Sequence, residues 1–382
     1  MGKKHILFCV RDFDHGGISK CLQQLMSLWN HDEYRISIYC CEPSGAYRDY
    51  FSRYEVISCM WIRALCVDYR RTKGMLRAFC LVMKMIRSVL LKCVGMDILD
   101  VVMKKEAELL SKKTYDAYIA YAEGVATQFC SYIASTNKIA WVHRDYATAS
   151  PDEIASETRY YESFRKIVCV SSHAAGTFAT CFPGIASKVE KIYNVINADE
   201  ILKAADEPLP DNFVFGDEEV RLVSIGRVCA VKGFYKIPQI ASELRKRISQ
   251  TFKWYIVGPG PDAEIQIVID EIAKYGVEDI VCLVGPVMNP YPLLKQASML
   301  VVTSFSESYP TVINEEKVLG IPVVSCDFPS VIEILSTGGI YGAPAEMVEN
   351  IVSVLKHGKY GQYNPNQENQ KSLNSIYQLI EK

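Results

Sequence analysis

The chain has 382 residues, 49% hydrophobic and 23% charged, with a formal net charge of −2. That balance describes a globular protein long enough for two cores, gives no global sign of nucleic-acid binding, and makes any basic surface a local one. Fourteen scattered cysteines without a Cys-x-x-Cys pair argue against a zinc or disulfide framework and for reduced, buried thiols.

The N-terminal MGKKHILFCV has too short an apolar run for a signal peptide, and no stretch reaches the ~18 uninterrupted apolar residues of a membrane span. A cytoplasmic protein is expected. His5 to Val10 reads as a buried first strand, followed by the loop RDFDHGG and a helical pattern from Ile18 to Trp29. Gly16 and Gly17 fall at that strand-to-helix turn, where backbone N–H groups approach a phosphate or sugar closely. Asp116 to Tyr121, Lys138 to Val142, Lys166 to Val170 and Val189 to Val195 read as further strands of a parallel sheet. Their carboxyl ends carry Glu123, His143, Asp145, Ser171 and Asn194, and a parallel sheet places such ends on one edge.

The segment from Trp61 to Val94 differs in character. It carries Arg63, Arg70, Arg71, Lys73, Arg77, Lys84, Arg87 and Lys92 against the single acid Asp68. From Met75 onward a helical projection puts Phe79, Val82, Met83, Ile86 and Leu90 on one face and Lys73, Arg77, Lys84 and Arg87 on the other. The one-sided charge points to contact with an anionic membrane surface, the plain alternative being a helix packed on its own sheet with a solvated basic face.

Charged and proline-containing residues from Asp199 to Glu219 break the alternation of strands and helices, and a new strand opens at Val220. The domain boundary is therefore expected near residue 203, with domains over 1–203 and 204–367. After the strand RLVSIGR, Arg227 and Lys232 bracket a loop that ends in Gly233, a fork and a point charge suited to a diphosphate. KWYIV followed by Gly-Pro-Gly is another strand and tight turn, and VCLVGP precedes Val287 and Met288. The stretch TSFSESYPTVINEEKVLGIPVVSCD, residues 303–327, is a loop, a helix and a strand, preceded by the buried strand MLVV. Glu307 lies on the loop, Glu315 about two turns into the helix, and Pro310 and Thr311 at the helix start, whose N–H groups and dipole suit an anion.

The segments ESYPTVINE and LGIPVVSCD resemble the E-x7-E signature of retaining glycosyltransferases of family 4, which have the GT-B fold. The loop from Arg227 to Gly233 is similar to that family's G-R-x-x-x-x-K-G segment, and WVHRDY to the segment whose histidine approaches the donor sugar. The resemblance implies an α/β protein of two Rossmann-like doubly wound domains facing a central cleft, with a C-terminal helix over 368–382 packing back on the N-terminal domain. It implies transfer of a sugar from a nucleotide-sugar donor, UDP-linked, to a saccharide acceptor, lipid-linked, as in enzymes of cell-surface polysaccharide synthesis.

The resemblance further implies that Glu307, His143, Arg227 and Lys232 serve catalysis. Gly16, Gly17, Val287, Ser308, Tyr309, Pro310, Thr311, Val312 and Glu315 join them around the donor, and Glu123 and Asp145 contact the acceptor. No metal or other cofactor is expected, because the cations and the helix start near Thr311 answer the charge of the leaving diphosphate. Ser308 stands where the family usually has Gly, and Glu316 where Ala usually follows the second glutamate. A GT-B epimerase or hydrolase, or a catalytically silent GT-B partner protein, are the alternatives.

Overall fold

Apolar runs bounded by helical segments dictate parallel strands buried on both faces, and two such sheets form. The structure, a computed structural model, describes residues 2–14, 16–209, 215, 219–335, 339–358 and 363–381. The first sheet contains β1 (Lys4–Asp12), β2 (Tyr34–Glu42), β3 (Glu55–Ile57), β4 (Ala117–Ala120), β5 (Lys138–Val142), β6 (Lys166–Cys169) and β7 (Val189–Lys191). The second contains β8 (Val220–Ile225), β9 (Phe252–Val257), β10 (Val281–Gly285), β11 (Met299–Val302), β12 (Val323–Cys326) and β13 (Gly339–Gly342). The spatial orders are β3-β2-β1-β4-β5-β6-β7 and β10-β9-β8-β11-β12-β13, with every pairing parallel.

The chain divides into two compact units, Met1–Val195 with Gln370–Lys382, and Ile196–Asn369. The first is built on Leu7, Cys9, Tyr39, Cys41, Phe129 and Cys130, with Tyr39 and Phe129 stacked at 4.0 Å between centroids. The second is built on Leu222, Trp254, Ile256, Met299 and Val301. All fourteen cysteines are free, and eight of them are buried.

Several elements differ from the sequence expectation. Strands β2 and β3 go beyond the expected set, and the last strand of the first sheet stops at Lys191. Part of the acidic linker is helical: Asn197 accepts a hydrogen bond from the Glu200 N–H (3.2 Å) and caps a helix over Ala198–Ala205. Ile201 and Ala205 bury against Val318 and Leu319 of the second unit, so the division falls somewhat before residue 203. The rest of the linker lies largely outside the described residues.

The basic helix Gly74–Val94 also turns differently. Cys80 and Met83 are its buried residues, while Val82 and Ile86, expected on the packed face, are exposed. Arg87, expected on the solvated basic face, instead holds Asp97 in a two-pronged ion pair at 2.8 and 2.7 Å. Asp97 is fixed because it caps the following helix, Ile98–Leu110, by accepting from the Leu99 N–H at 3.0 Å. A fixed carboxylate draws the guanidinium inward and sets the rotation of the helix.

The C-terminal helix Asn366–Glu381 completes the first unit from Gln370 on. The Tyr377 ring stacks on Tyr34 at 5.0 Å and its hydroxyl accepts from the Asn30 N–H at 2.8 Å; Tyr34 in turn donates to Glu381 at 2.9 Å. Tyr377→Ala removes a stacked ring and leaves the partly buried Asn30 N–H without its acceptor. It is expected to destabilise the first unit by roughly 2–4 kcal/mol, read from Trp29 fluorescence in urea; a change below about 0.5 kcal/mol would show that the helix end contributes nothing there.

Candidate active site

Loops diverge where consecutive strands leave in opposite directions, and the gap at the carboxyl ends of those strands is where an open parallel sheet binds ligands. In the second sheet that place lies between β8 and β11. The loop after β8 carries Arg227 and Lys232, and the loop after β11 carries Thr303 to Glu307.

Lys232 ends a short 3₁₀ turn, Ala230–Lys232, closed by Gly233 at φ 67°. A side chain at Gly233 would run into the Thr303 carbonyl, so the left-handed backbone and the close approach both require glycine. The two loops are laced together by the Thr303 hydroxyl donating to the Lys232 carbonyl (2.8 Å) and the Phe305 N–H donating to the Val231 carbonyl (2.9 Å). Gly258, at φ 140°, backs the same loop so closely that any Cβ would collide with the Gly226 carbonyl.

On this frame Lys232 Nζ forms an ion pair with Glu307 Oε1, the side chains being 24% and 13% exposed. The same oxygen accepts from Ser304 Oγ at 2.6 Å, and the Glu307 carbonyl accepts from Ser330 Oγ at 2.6 Å. Arg227 is exposed on the same loop. Beyond Glu307 the helix Thr311–Leu319 begins at an extended Pro310 with no side-chain cap. The Ile313 N–H donates to the Pro310 carbonyl (3.2 Å), and the positive end of the helix dipole favours an anion here. Tyr309 is half-buried and its hydroxyl accepts from Asn314 at 2.9 Å, Ser308 is buried beside it, and Val312 is half-buried.

Glu315 is buried in the second turn of that helix. Its neighbour Glu316 is wholly buried, and neither carboxyl oxygen has a hydrogen-bond partner. Burial first, and the Glu315 charge second, push the Glu316 carboxyl well above the usual range. Val287 sits half-buried in the apolar cluster around Tyr255 and Tyr291.

The expected residues of the first unit gather on that unit's own sheet edge. Gly16 and Gly17 open the helix Gly17–Ser27; both are exposed, and an added Cβ would meet nothing within 4 Å. Packing therefore does not demand this glycine pair. His143 donates from its ring to the Tyr121 carbonyl, while its Nε2 is shielded from solvent and has no partner. Burial pushes the imidazole down to about 3. The ring is neutral at pH 7, and with Nδ1 donating, Nε2 presents a lone pair suited to a hydroxyl donor.

Glu123 and Asp145 are engaged locally. Glu123 Oε1 accepts from the backbone N–H groups of His143 and Arg144, the latter at 2.7 Å, and burial raises its pKa. Asp145 accepts from the Ala147 N–H at 2.9 Å and pairs with His173 Nε2 at 2.9 Å. Both carboxylates shape the loop after β5. Thr303, Ser304, Ser330 and His173 went unrecognised in the sequence. Ser304 carries a weak signal, three residues ahead of Glu307; Ser330 and His173 carry none, because only the fold brings them near.

Residues 219–357 match the family model described as Glycosyl transferases group 1. That stretch, about a third of the chain, is similar to group 1 glycosyltransferases. The chain is also 24% identical over 202 residues, half of its length, to an uncharacterized glycosyltransferase of Methanocaldococcus jannaschii, and the match spans 48% of that relative. Among solved structures, Anabaena HepE, crystallised with UDP and glucose, superposes with a TM-score of 0.70 at 14% identity, covering 97% of this chain and 99% of its own. The lipopolysaccharide outer core galactosyltransferase WaaB gives 0.63 at 12% identity, covering 99% of both chains. These likenesses show the fold, which is GT-B.

The buried imidazole has a pH signature. An unfolded histidine titrates near 6.5, whereas His143 stays neutral in the fold down to about pH 3. The unfolded chain therefore binds the extra proton through that window, and stability falls as pH drops from about 6.5 toward 3. In His143→Phe this share of acid destabilisation disappears, so Tm should fall less between about pH 7 and pH 5 than in wild type. An equal fall would show that the ring protonates without penalty.

Proposed function

We propose that this protein is a retaining glycosyltransferase that moves a sugar from a nucleotide-sugar donor, UDP-linked, to a saccharide acceptor. The observation that carries the reading is the Lys232–Glu307 pair at the switch point of the second sheet, with Arg227 on the same loop and an uncapped helix start following Glu307. As the bond from the anomeric carbon to the diphosphate breaks, the electron pair leaves on the diphosphate oxygen. Arg227, Lys232 and the N–H groups near Thr311 stabilise that charge without reorganising.

Glu307 accepts from donor-sugar hydroxyls while keeping Lys232 in place, and Glu315 accepts from the ribose, as an acidic residue does in dinucleotide folds. Gly16 and Gly17 let backbone approach the donor, His143 accepts a sugar hydroxyl through Nε2, and Ser308, Tyr309 and Val287 shape the pocket. That HepE was crystallised with UDP and glucose supports a uridine nucleotide. The charge on the leaving group is answered by side chains and backbone, so the reaction is proposed to run without a divalent metal. The acceptor is proposed to be a lipid-linked glycan of cell-surface polysaccharide synthesis. The protein would then be held from the cytoplasm at an anionic membrane surface through the segment from Trp61 to Val94.

Screening nucleotide sugars for hydrolysis identifies the donor. Arg227→Ala and Lys232→Ala should each lower turnover by roughly 10²-fold or more; near-normal activity in both would refute the diphosphate assignment. Because Lys232 and Glu307 share one ion pair, Lys232→Ala and Glu307→Gln should be non-additive in a double-mutant cycle. Activity should survive EDTA, and complete loss restored by Mg²⁺ would show that a metal neutralises the leaving group instead.

A further inference from the structure

Among the described residues, eleven of the twenty-one exposed large hydrophobic side chains lie between Met60 and Met96, whereas singly scattered apolar residues are the norm for a solvated surface. Most of them line one helix. At about 100° per residue, Met75, Val82, Met85, Ile86 and Val89 of Gly74–Val94 fall within one stripe, between 41% and 91% exposed. The stripe lies away from the line of Cys80, Met83 and the Arg87–Asp97 ion pair that fastens the helix to its own unit. Lys92 borders it, Arg77 and Lys84 lie farther round the helix, and the helix contains no acidic residue. No described helix is long and apolar enough to cross a membrane.

We infer that Gly74–Val94 lies in the plane of an anionic lipid surface, with this stripe inserted at the boundary between headgroups and acyl chains. The inference deepens the membrane partner proposed above and rests on that reading. Charge selects the occupant. A second copy docked through the same face about a two-fold axis would bring together two helices that carry basic residues and no acidic one, whereas anionic headgroups neutralise that charge and receive the apolar side chains of the stripe. Insertion also separates this mode from simple electrostatic contact. Screening shortens from ~10 Å at 0.1 M salt to ~3 Å at 1 M, which weakens attraction to headgroups but leaves the burial of apolar surface intact.

Cys93 is the one exposed cysteine among the described residues and lies near the C-terminal end of the helix. Labelled there with a polarity-sensitive fluorophore, with Cys93→Ser as the control for stray labelling, the full-length protein should show a blue shift on vesicles containing phosphatidylglycerol. Pure phosphatidylcholine should give none, and part of the shift formed at low salt should persist at 1 M. Val82→Asp combined with Ile86→Asp should abolish the shift while the affinity for UDP, measured by calorimetry, stays within about twofold. No shift on anionic vesicles, or a shift that survives the double substitution, would overturn insertion. A lipid-free dimer with the label already shielded would also overturn it and assign the face to a second copy. Failure of the wild-type protein to bind any nucleotide would refute the donor reading and leave the lipid result standing.

Discussion

The second unit is organised by an ion pair that neither loop could form alone. Lys232 and Glu307 lie on loops after β8 and β11, which are neighbours only because the strand order reverses between them. Removing a lysine and a glutamate from water costs several kcal/mol per ion unless geometry and further hydrogen bonds compensate. Here Ser304 satisfies the same carboxylate oxygen, while Thr303 and Phe305 tie the loops together through backbone groups. Gly233 and Gly258 are glycines because the loops pass too close to other backbone for a Cβ. The result is a charged frame held by side-chain and backbone hydrogen bonds, as the proposed stabilisation of a leaving diphosphate requires.

The first unit solves a different problem at its sheet edge. His143 is held neutral by burial and oriented by the Tyr121 carbonyl, and Glu123 fixes the backbone on which His143 and Arg144 sit. Its carboxylate works as a structural acceptor, which sequence position alone does not reveal. A single strand-end carboxylate reads equally well as a ligand contact or a loop clamp. Only the positions of nearby N–H groups decide.

Two features run against local expectation. Glu316 places a carboxylic acid in the interior with no hydrogen-bond partner, where the resemblance led to Ala. Desolvation raises its pKa, and the burial of an unsatisfied polar group is a cost that the surrounding fold absorbs. The basic helix Gly74–Val94 contains apolar residues around much of its circumference, so periodicity alone permits more than one packed face. The carboxylate of Asp97, fixed by its capping role, chooses among them by drawing Arg87 inward.

The sequence by itself determined two parallel sheets, because buried runs such as Ile6–Val10 and Met299–Val302 alternate with helices and cannot pair otherwise. It also determined the local chemistry of the second unit: cations five residues apart before Gly233, and two glutamates eight residues apart around a helix start. These signals survive because each lies within one strand-loop-helix segment. Tertiary structure alone decided that Lys232 holds Glu307, that Ser330 reaches the Glu307 carbonyl, that Asp145 meets His173, and which stripe of the basic helix faces outward. Those pairings join residues far apart in the chain, where no local pattern records the distance and only the order of strands and the burial of charge can set it.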